Sequence, residues 1–171
     1  MDRLHWFPQP FPDESLYSLA VRYHRLSSND SYRRTSQELF GAYSRTCGSI
    51  LPCCLGALSQ RLASAYSVEH LIDRFTLLPL YEPFLNDTKS KAARIAMTGT
   101  DGTGLKMSLG LTASGFLKHA SFRYCERCVE EDIQNCGSAY WHRIHQAMGT
   151  CICPLHGEVL CGTMFPDGTD W

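Results

Sequence analysis

Four residues near the C-terminal end of the chain have the types and spacing of a metal site. They are Cys125, Cys128, Cys153 and His156, arranged as two pairs with two residues inside each pair. One backbone turn at that spacing aims two side chains at the same point, so two turns supply the four sulfur and nitrogen ligands that tetrahedral zinc prefers. Because the protein fills all four positions, we predict one structural Zn²⁺ ion rather than a catalytic one.

Other potential ligands lie close to these pairs. Cys151 competes with Cys153, but Cys153-Pro-Leu-His156-Gly keeps the two-residue spacer and places a glycine in the turn. His142 and His145 are candidates for a further ligand or a catalytic base. With four better ligands present, we expect both histidines to pack or to form hydrogen bonds. No Ser-His-Asp or Cys-His arrangement is recognisable, and we therefore predict a protein that is not an enzyme.

The composition is that of a folded protein without a membrane-spanning segment. Hydrophobic residues make up 44% and charged residues 19% of the chain. No apolar run approaches the length of about 18 residues that a spanning helix needs. The N-terminal residues lack the apolar stretch of a signal peptide, so we expect a cytoplasmic location. Thiols stay reduced there, and the paired spacing of the cysteines then favours metal over disulfides.

Charge is distributed unevenly along the chain. Residues 1–124 contain fourteen Lys and Arg against ten Asp and Glu, whereas residues 125–171 contain two against seven. If the protein contacts nucleic acid, the first part is the better candidate. The basic residues that could contact phosphates, each of which could equally lie on a solvated face, are Arg33, Arg34, Arg61, Lys89, Lys91 and Arg94.

Apolar periodicity predicts helices over most of the first 120 residues. Asp13 is expected to cap a helix that begins at Glu14 and buries Leu16, Leu19, Ala20, Tyr23 and Leu26. Thr35 and Glu38 suggest a capping box for a short helix that Gly41 ends. Further helices are predicted over 55–66, over 67–75 with Ser67 as its cap, and from Asn86 or Asp87 to Ala96. The apolar segment 76–84 is broken by two prolines and is expected to be a packed connector, and 107–117 is expected to form a buried helix or a strand.

These elements predict a mainly α-helical protein with two parts. Residues 1–120 would form a helical domain, and residues 121–171 a small zinc-ribbon-like module with a short helix or strand between the two ligand pairs. The helices over 55–66 and 67–75 have the outline of a helix-turn-helix, although an ordinary helical hairpin has the same outline and is commoner. The small module has too little apolar core to fold alone, so metal binding should supply much of its folding free energy.

Three segments together resemble the TniQ/TnsD family of bacterial transposon target-selection proteins. The first is Pro10-Phe-Pro-Asp-Glu-Ser-Leu-Tyr-Ser-Leu-Ala-Val-Arg22, and the second is Phe75-Thr-Leu-Leu-Pro-Leu-Tyr-Glu-Pro-Phe84. The third runs from Phe122-Arg-Tyr-Cys through Trp141 to the Cys-Pro-Leu-His-Gly turn. They occur in family order and span almost the whole chain. The match is closer to the N-terminal part of TnsD proteins than to the short TniQ proteins of CRISPR-associated transposons.

The resemblance implies a non-enzymatic adaptor in DNA transposition. Such proteins mark an insertion site on double-stranded DNA and recruit the AAA+ regulator TnsC, while TniQ proteins of CRISPR-associated transposons dock on an RNA-guided effector. TnsD proteins are longer and have further helix-turn-helix elements downstream of this region. The contact with TnsC is expected at Trp6, Phe7 and Phe11, because interfaces use aromatic anchors of this kind. The same three rings could instead close the core of the helical domain.

A rival hypothesis from another class is a stand-alone, sequence-specific DNA-binding protein with a stabilising zinc module. Docking on a CRISPR effector is a further alternative. A zinc-dependent deaminase is a distant third, because its H-x-E and P-C-x-x-C motifs are missing. Affinity for random and attachment-site DNA across salt concentrations, with and without TnsC, separates the adaptor from the stand-alone DNA-binding protein.

Overall fold

The structure is a computed structural model that describes residues 3–41, 51–102, 104–110 and 122–163. It is mainly α-helical, as predicted, with a small sheet beside a cluster of Cys and His side chains. None of the helices in the described ranges is both long and apolar enough to cross a membrane. The helices are α1 (Leu16–Ser27), α2 (Tyr32–Phe40), α3 (Leu55–Arg61), α4 (Val68–Phe75), α5 (Leu78–Tyr81), α6 (Asp87–Thr98), α7 (Leu105–Ser108) and α8 (Glu126–Cys136), and the strands are β1 (Phe122–Tyr124) and β2 (Cys161–Thr163).

Helix α1 begins two residues later than the sequence predicted. Ser15, not Asp13, is the N-cap, and its Oγ accepts a hydrogen bond from the Ser18 amide. Serine satisfies a free amide of the first turn in this way. Asp13 has a left-handed backbone with φ of 53° and contacts another part of the chain, as described below. The predicted apolar face is buried except for Leu26, whose side chain is 63% exposed.

Helix α2 ends where the sequence predicted and begins earlier. Gly41 ends the helix with φ of 76°, and its amide donates to the Gln37 carbonyl. The cap is Ser31, so the capping box predicted at Thr35 and Glu38 is wrong. Thr35 lies inside the helix, fully buried, and its hydroxyl is 2.8 Å from Nδ1 of His24 on α1. A tertiary contact therefore uses the polar atom that the sequence pattern had assigned to a cap.

Helices α3 and α4 form the predicted hairpin. Ser67 caps α4 by accepting a bond from the His70 amide, as predicted. Helix α3 ends at Arg61 rather than Tyr66, because Ala63 and Ser64 adopt left-handed conformations that turn the chain. Leu58, Leu71 and other buried side chains of both helices belong to the shared core, which is how an ordinary helical hairpin packs. Helix α6 begins after its cap Asn86, as predicted, and continues two residues beyond Ala96 to Thr98.

The proline-containing connector is packed, as predicted, but it is also helical. Leu77 and Leu78 are buried, and α5 is followed directly by a 3₁₀ turn over Glu82–Phe84. Each proline lies in the first positions of its helical turn, where the missing amide hydrogen has no helical acceptor to lose. Of the segment predicted over 107–117, residues 111–117 lie outside the described residues; Met107 belongs to the short helix α7 and is exposed.

The C-terminal part is built around a two-stranded antiparallel sheet. Phe122 pairs with Thr163, and Tyr124 pairs with Cys161. On the free side of β1, the side-chain amide of Gln146 accepts from the Arg123 amide at 3.0 Å and donates to the Arg123 carbonyl at 2.8 Å. A side chain thus satisfies backbone groups of a strand that has no further neighbour among the described residues.

Two short segments outside the α-helices join the helical part to the C-terminal part. Glu14 and His142 form an antiparallel bridge, and the Ser15 amide donates to the Trp141 carbonyl at 2.9 Å. The Arg143 amide donates to the Asp13 carbonyl at 2.7 Å, while the Asp13 carboxylate accepts from the Ile144 amide at 2.9 Å. We call these two segments, 13–15 and 141–144, the interlock.

Arg143 extends the interlock to helix α4. Its Nε donates to the Asp13 carboxylate at 3.2 Å, and Nη1 donates to the carbonyls of Asp73 at 2.6 Å and Thr76 at 3.2 Å. These carbonyls lie at the C-terminal end of α4, where a cation is favourable to the helix dipole. The interlock therefore ties residues of the two predicted domains together. The division at residues 120 and 121 stays a prediction.

We predict that Arg143→Met lowers the free energy of unfolding by about 2 kcal/mol, because it removes three charge-assisted hydrogen bonds, of which those to Asp13 and Thr76 are partly buried. Urea unfolding with metal kept bound measures the loss. Arg74→Met, an exposed arginine in the last turn of α4, is the matched control and should change stability by less than about 0.5 kcal/mol. Equal losses in the two variants would contradict a role of Arg143 in joining the two parts.

Candidate metal centre

The structure brings the four predicted ligands together. The sulfur atoms of Cys125, Cys128 and Cys153 and a ring nitrogen of His156 all lie within 4.8 Å of one another. Cys125 is the N-cap of α8 and Cys128 lies in its first turn, so the start of one helix positions the first pair. The second pair lies in a turn closed by a hydrogen bond from the Gly157 amide to the Cys153 carbonyl.

The distances between the ligand atoms fit a four-coordinate ion of the size of zinc. Zinc–sulfur and zinc–nitrogen bond lengths give about 3.8 Å between two sulfurs and about 3.5 Å between sulfur and nitrogen in a tetrahedron. The Cys128 and Cys153 sulfurs are 3.6 Å apart. Nδ1 of His156 lies 3.4 Å from the sulfurs of Cys125 and Cys128 and 3.7 Å from that of Cys153. The remaining pairs of ligand atoms lie within 4.8 Å of each other, so the group could hold such an ion.

Cys151 and Cys153 differ clearly in position. Cys153 is fully buried with the other two cysteines in a small cluster, against which Leu160 packs. Cys151 is exposed, and its carbonyl accepts from the Leu160 amide in the hairpin that carries the second pair. Side chains two residues apart on an extended segment point to the same face, so alternation alone would place Cys151 and Cys153 on one side. Their burial nevertheless differs, and of the two only Cys153 belongs to the ligand cluster.

Charged and polar groups outside the four ligands orient the cluster. Nε2 of His156 lies 3.0 Å from a carboxylate oxygen of Glu131, so this nitrogen carries the proton and Nδ1 faces the sulfurs with a free lone pair. Nε2 of His145 lies 3.8 Å from the Cys128 sulfur. Burial, with His142 as the next contribution, lowers the pKa of His145 to about 4, so its ring is neutral at pH 7 and can donate one N–H.

The three thiols differ in how readily they ionise before a metal binds. Burial raises the pKa of Cys128, and the neighbouring Cys153 raises it further. Burial also raises the pKa of Cys125. For Cys153 the same burial is outweighed by the backbone amides of His156 and Leu155, which lower its pKa. Because burial raises the pKa of Cys125 and Cys128, metal binding must drive the deprotonation of these thiols.

The sequence pattern does not reveal the contact of Glu131 with His156 or that of His145 with Cys128. Glu131 is separated from His156 by 25 residues and is half-exposed on α8, so it looks like an ordinary solvated acid in the sequence. His145 was expected to pack or to hydrogen-bond, and it is buried. His142 is also buried, with Nε2 2.9 Å from the Asp132 carboxylate. No spacing rule connects these pairs, because turns of irregular length bring them together.

Comparison with known proteins places this architecture in a family. The family model described as TniQ matches residues 5–160, which include most of the helical part and all four candidate ligands. This chain belongs to the TniQ family. It is also 30% identical over 157 residues to the transposon Tn7 transposition protein TnsD of Escherichia coli, an alignment that covers 90% of this chain and 31% of TnsD. The chain thus spans about a third of the length of that relative.

In this TniQ-family chain the three predicted aromatic anchors all contact other rings. Trp6 is 40% exposed and stacks on Tyr23, with centroids 4.9 Å apart. Phe7 is half-buried and packs against the core. Phe11 lies 5.1 Å from the ring of Tyr140 and beneath the guanidinium of Arg22 at 3.6 Å. Trp6 alone among the three presents a large exposed area, and the assignment of all three to a partner stays a prediction.

The six candidate DNA contacts fall into two groups. Arg33, Arg34, Lys89 and Lys91 are exposed on α2 and α6. Arg94 is paired with Glu82 at 2.6 Å and with Asp73 at 2.7 Å, and Glu82 first of all raises its pKa. Arg61 donates to the Glu38 carbonyl, and its buried Nε has no hydrogen-bond partner among the residues that the structure describes. The side chains of the first group are exposed to solvent, although Nε of Arg34 also lies 3.2 Å from a carboxylate oxygen of Glu38 on the same helix. Arg94 and Arg61 instead hold elements of the fold together.

We predict that Cys153→Ser reduces bound metal from about one ion per chain to well below half, whereas Cys151→Ser leaves it unchanged, because Cys153 alone of the two has its sulfur in the cluster. The number of metal ions per chain, measured by elemental mass spectrometry on protein purified by gel filtration, tests this prediction. Thermal unfolding before and after chelation should give a large drop in midpoint for wild type and Cys151→Ser. A metal requirement that follows Cys151 instead would show that the cluster is assembled differently.

Proposed function

We propose that this chain is a non-enzymatic target-selection adaptor in DNA transposition that links a target DNA site to the AAA+ regulator TnsC. The observation that carries the proposal is the extent of the family match, which runs through both the helical part and the metal-ligand cluster. The similarity to TnsD covers 90% of the chain and supports the same role. Because the chain spans only 31% of TnsD, the proposal concerns the function of this region within such an adaptor.

The proposed metal is one structural Zn²⁺ ion held by Cys125, Cys128, Cys153 and His156. Three thiolates and one imidazole are ligands that zinc favours, and four protein ligands leave no coordination position for water or substrate. When bound, the ion supplies folding free energy to the C-terminal part. Glu131 would hold the His156 ring in place, and the neutral His145 would donate to the Cys128 sulfur. A closed site of this kind supports an adaptor rather than a metalloenzyme.

The DNA contact is proposed at the exposed cations of α2 and α6, namely Arg33, Arg34, Lys89 and Lys91. Phosphate contacts give affinity that falls as salt rises, without reading base sequence. Nothing in this proposal requires the α3–α4 hairpin to enter a groove, because the buried side chains of both helices serve the core. Sequence reading by further elements of a longer protein is compatible with this role.

The TnsC contact is proposed at the N-terminal aromatic residues, with Trp6 as the main anchor. Its ring is stacked on Tyr23 and therefore held in one orientation while much of its surface faces solvent. A pre-oriented tryptophan contributes strongly to an interface because little side-chain entropy is lost on binding. Phe7 and Phe11 would support the shape of that surface from below.

We predict that Trp6→Ala weakens binding to purified TnsC by about tenfold or more, the usual effect of truncating an aromatic anchor at an interface. Biolayer interferometry with metal-loaded protein measures the affinity. Phe84→Ala is the matched control, since Phe84 is 87% exposed and lies in the 3₁₀ turn after α5. A folded Trp6→Ala protein with unchanged TnsC affinity would reject this contact, and a wild-type protein that does not bind TnsC would reject the adaptor role.

We predict that Arg33→Gln with Arg34→Gln weakens binding to double-stranded DNA and reduces the slope of log affinity against log salt by about 2, because two phosphate contacts are lost. Fluorescence anisotropy over a range of salt concentrations, with attachment-site and random duplexes, measures both quantities. Arg127→Gln is the control: it is exposed and lies on α8 in the acidic part of the chain. An unchanged slope would exclude α2 as the DNA contact. Tight, sequence-specific binding that is indifferent to TnsC would favour the stand-alone DNA-binding protein.

A further inference from the structure

A groove of 530 Å³ separates helix α1 from helix α8. Its size is that of a site for a small ligand or for two or three side chains of a peptide. The lining is mostly apolar and aromatic. Helix α1 contributes Val21 and Leu26, helix α8 contributes Val129 and Cys136, and the aromatic rings include those of Tyr124 and Trp141.

The side chains of α1 that line the groove are different from those that pack into the core. Leu16, Leu19, Ala20 and Tyr23 pack into the core, whereas Leu26 points toward the groove and is 63% exposed. On α8, Ile133 lies four residues after Val129 and three before Cys136, so it continues the same stripe along the helix. Ile133 is 53% exposed. Such a continuous apolar surface on two helices is typical of a contact site rather than of scattered surface residues.

The charge of the lining has one sign. Among the described residues, Arg22 and Arg25 line the groove and no carboxylate does. Arg22 is already compensated, because it pairs with Glu14 at 2.7 Å. Arg25 is exposed, and within the described ranges its guanidinium is paired with no carboxylate. One arginine at the edge of an apolar groove is therefore available to a negatively charged group.

We propose that this groove binds a short acidic segment of a partner protein, with an apolar side chain between α1 and α8 and a carboxylate paired with Arg25. An apolar anchor gives affinity, and the charge pair fixes orientation and selects against basic segments. Glu126 and Glu130 of α8 lie outside the lining and are exposed, so the carboxylate of the segment should face α1. The proposal rests on the adaptor function only in assuming that a partner protein exists.

Two synthetic hexapeptides test the proposal on the full metal-loaded chain. In the first, Leu-Phe is flanked on each side by two aspartates, and in the second by two lysines. Titration of ¹⁵N-labelled protein should shift the amide signals of Leu26, Val129 and Trp141 with the aspartate peptide and leave them in place with the lysine peptide. Shifts confined to other surfaces, or equal shifts with both peptides, would overturn the proposal.

Charge exchange tests the role of Arg25. Arg25→Glu should weaken the aspartate peptide about tenfold and strengthen the lysine peptide, because the sign of the groove edge is reversed. Arg33→Glu makes the same charge change on α2, away from the groove lining, and should have little effect. If both variants weaken the aspartate peptide equally, general attraction and not the groove explains the binding.

The apolar part of the site has its own control. Leu26→Ser should weaken the aspartate peptide severalfold, whereas Ile95→Ser, which changes a similarly exposed aliphatic residue on α6 away from the groove lining, should not. Sedimentation without peptide shows whether a second copy of the chain covers the groove instead, which would overturn the proposal. These outcomes are independent of TnsC and DNA affinity, so failure of the groove and failure of the adaptor function are distinguishable.

Discussion

The fold depends on the interlock between residues 13–15 and residues 141–144. There, residues 13–15 form backbone hydrogen bonds with a segment more than 120 residues later in the sequence. Glu14 is completely buried there, and its carboxylate accepts from the Phe11 amide at 3.0 Å, from the Ser18 hydroxyl at 2.8 Å and from Arg22 at 2.7 Å. Burial raises the pKa of Glu14 against the effect of these donors. Burying a carboxylate costs free energy unless hydrogen-bond donors compensate for the lost water, so the Phe11 amide, Ser18 and Arg22 must keep their positions around Glu14.

A second buried ionisable pair joins the metal-binding part to the interlock. Asp132 on α8 lies 2.9 Å from Nε2 of His142, and His142 forms the bridge with Glu14. The helix that presents Cys125 and Cys128 is thus connected, through one hydrogen bond and one backbone bridge, to the beginning of α1. The family match likewise runs through both the helical part and the metal-binding part.

The sequence predicted the elements that depend on local chemistry. Ser67 and Asn86 begin helices because their side chains accept a hydrogen bond from an amide of the first turn. Gly41 ends a helix because a residue without a side chain adopts the left-handed conformation easily. The four clustered ligands were equally predictable, since each pair is local. The sequence was wrong where a polar residue serves a distant contact. Asp13 and Thr35 have the composition of caps, but Asp13 binds Arg143 and Thr35 contacts His24. The groove was not predicted either, because it exists only once α8 is placed opposite α1.

Helix α8 belongs both to the proposed metal site and to the groove. Cys125 and Cys128 fix the first turn of this helix, Asp132 fixes its middle, and Val129 and Cys136 form one wall of the groove. A part this small has little apolar burial of its own, since its buried hydrophobic cluster consists of the three cysteines with Leu160 packed against them. Without metal, the buried thiols would remain largely protonated and nothing comparable would hold the start of α8. A structural ion at the proposed site would therefore act on recognition only indirectly, by fixing the position of α8 and with it one wall of the proposed groove.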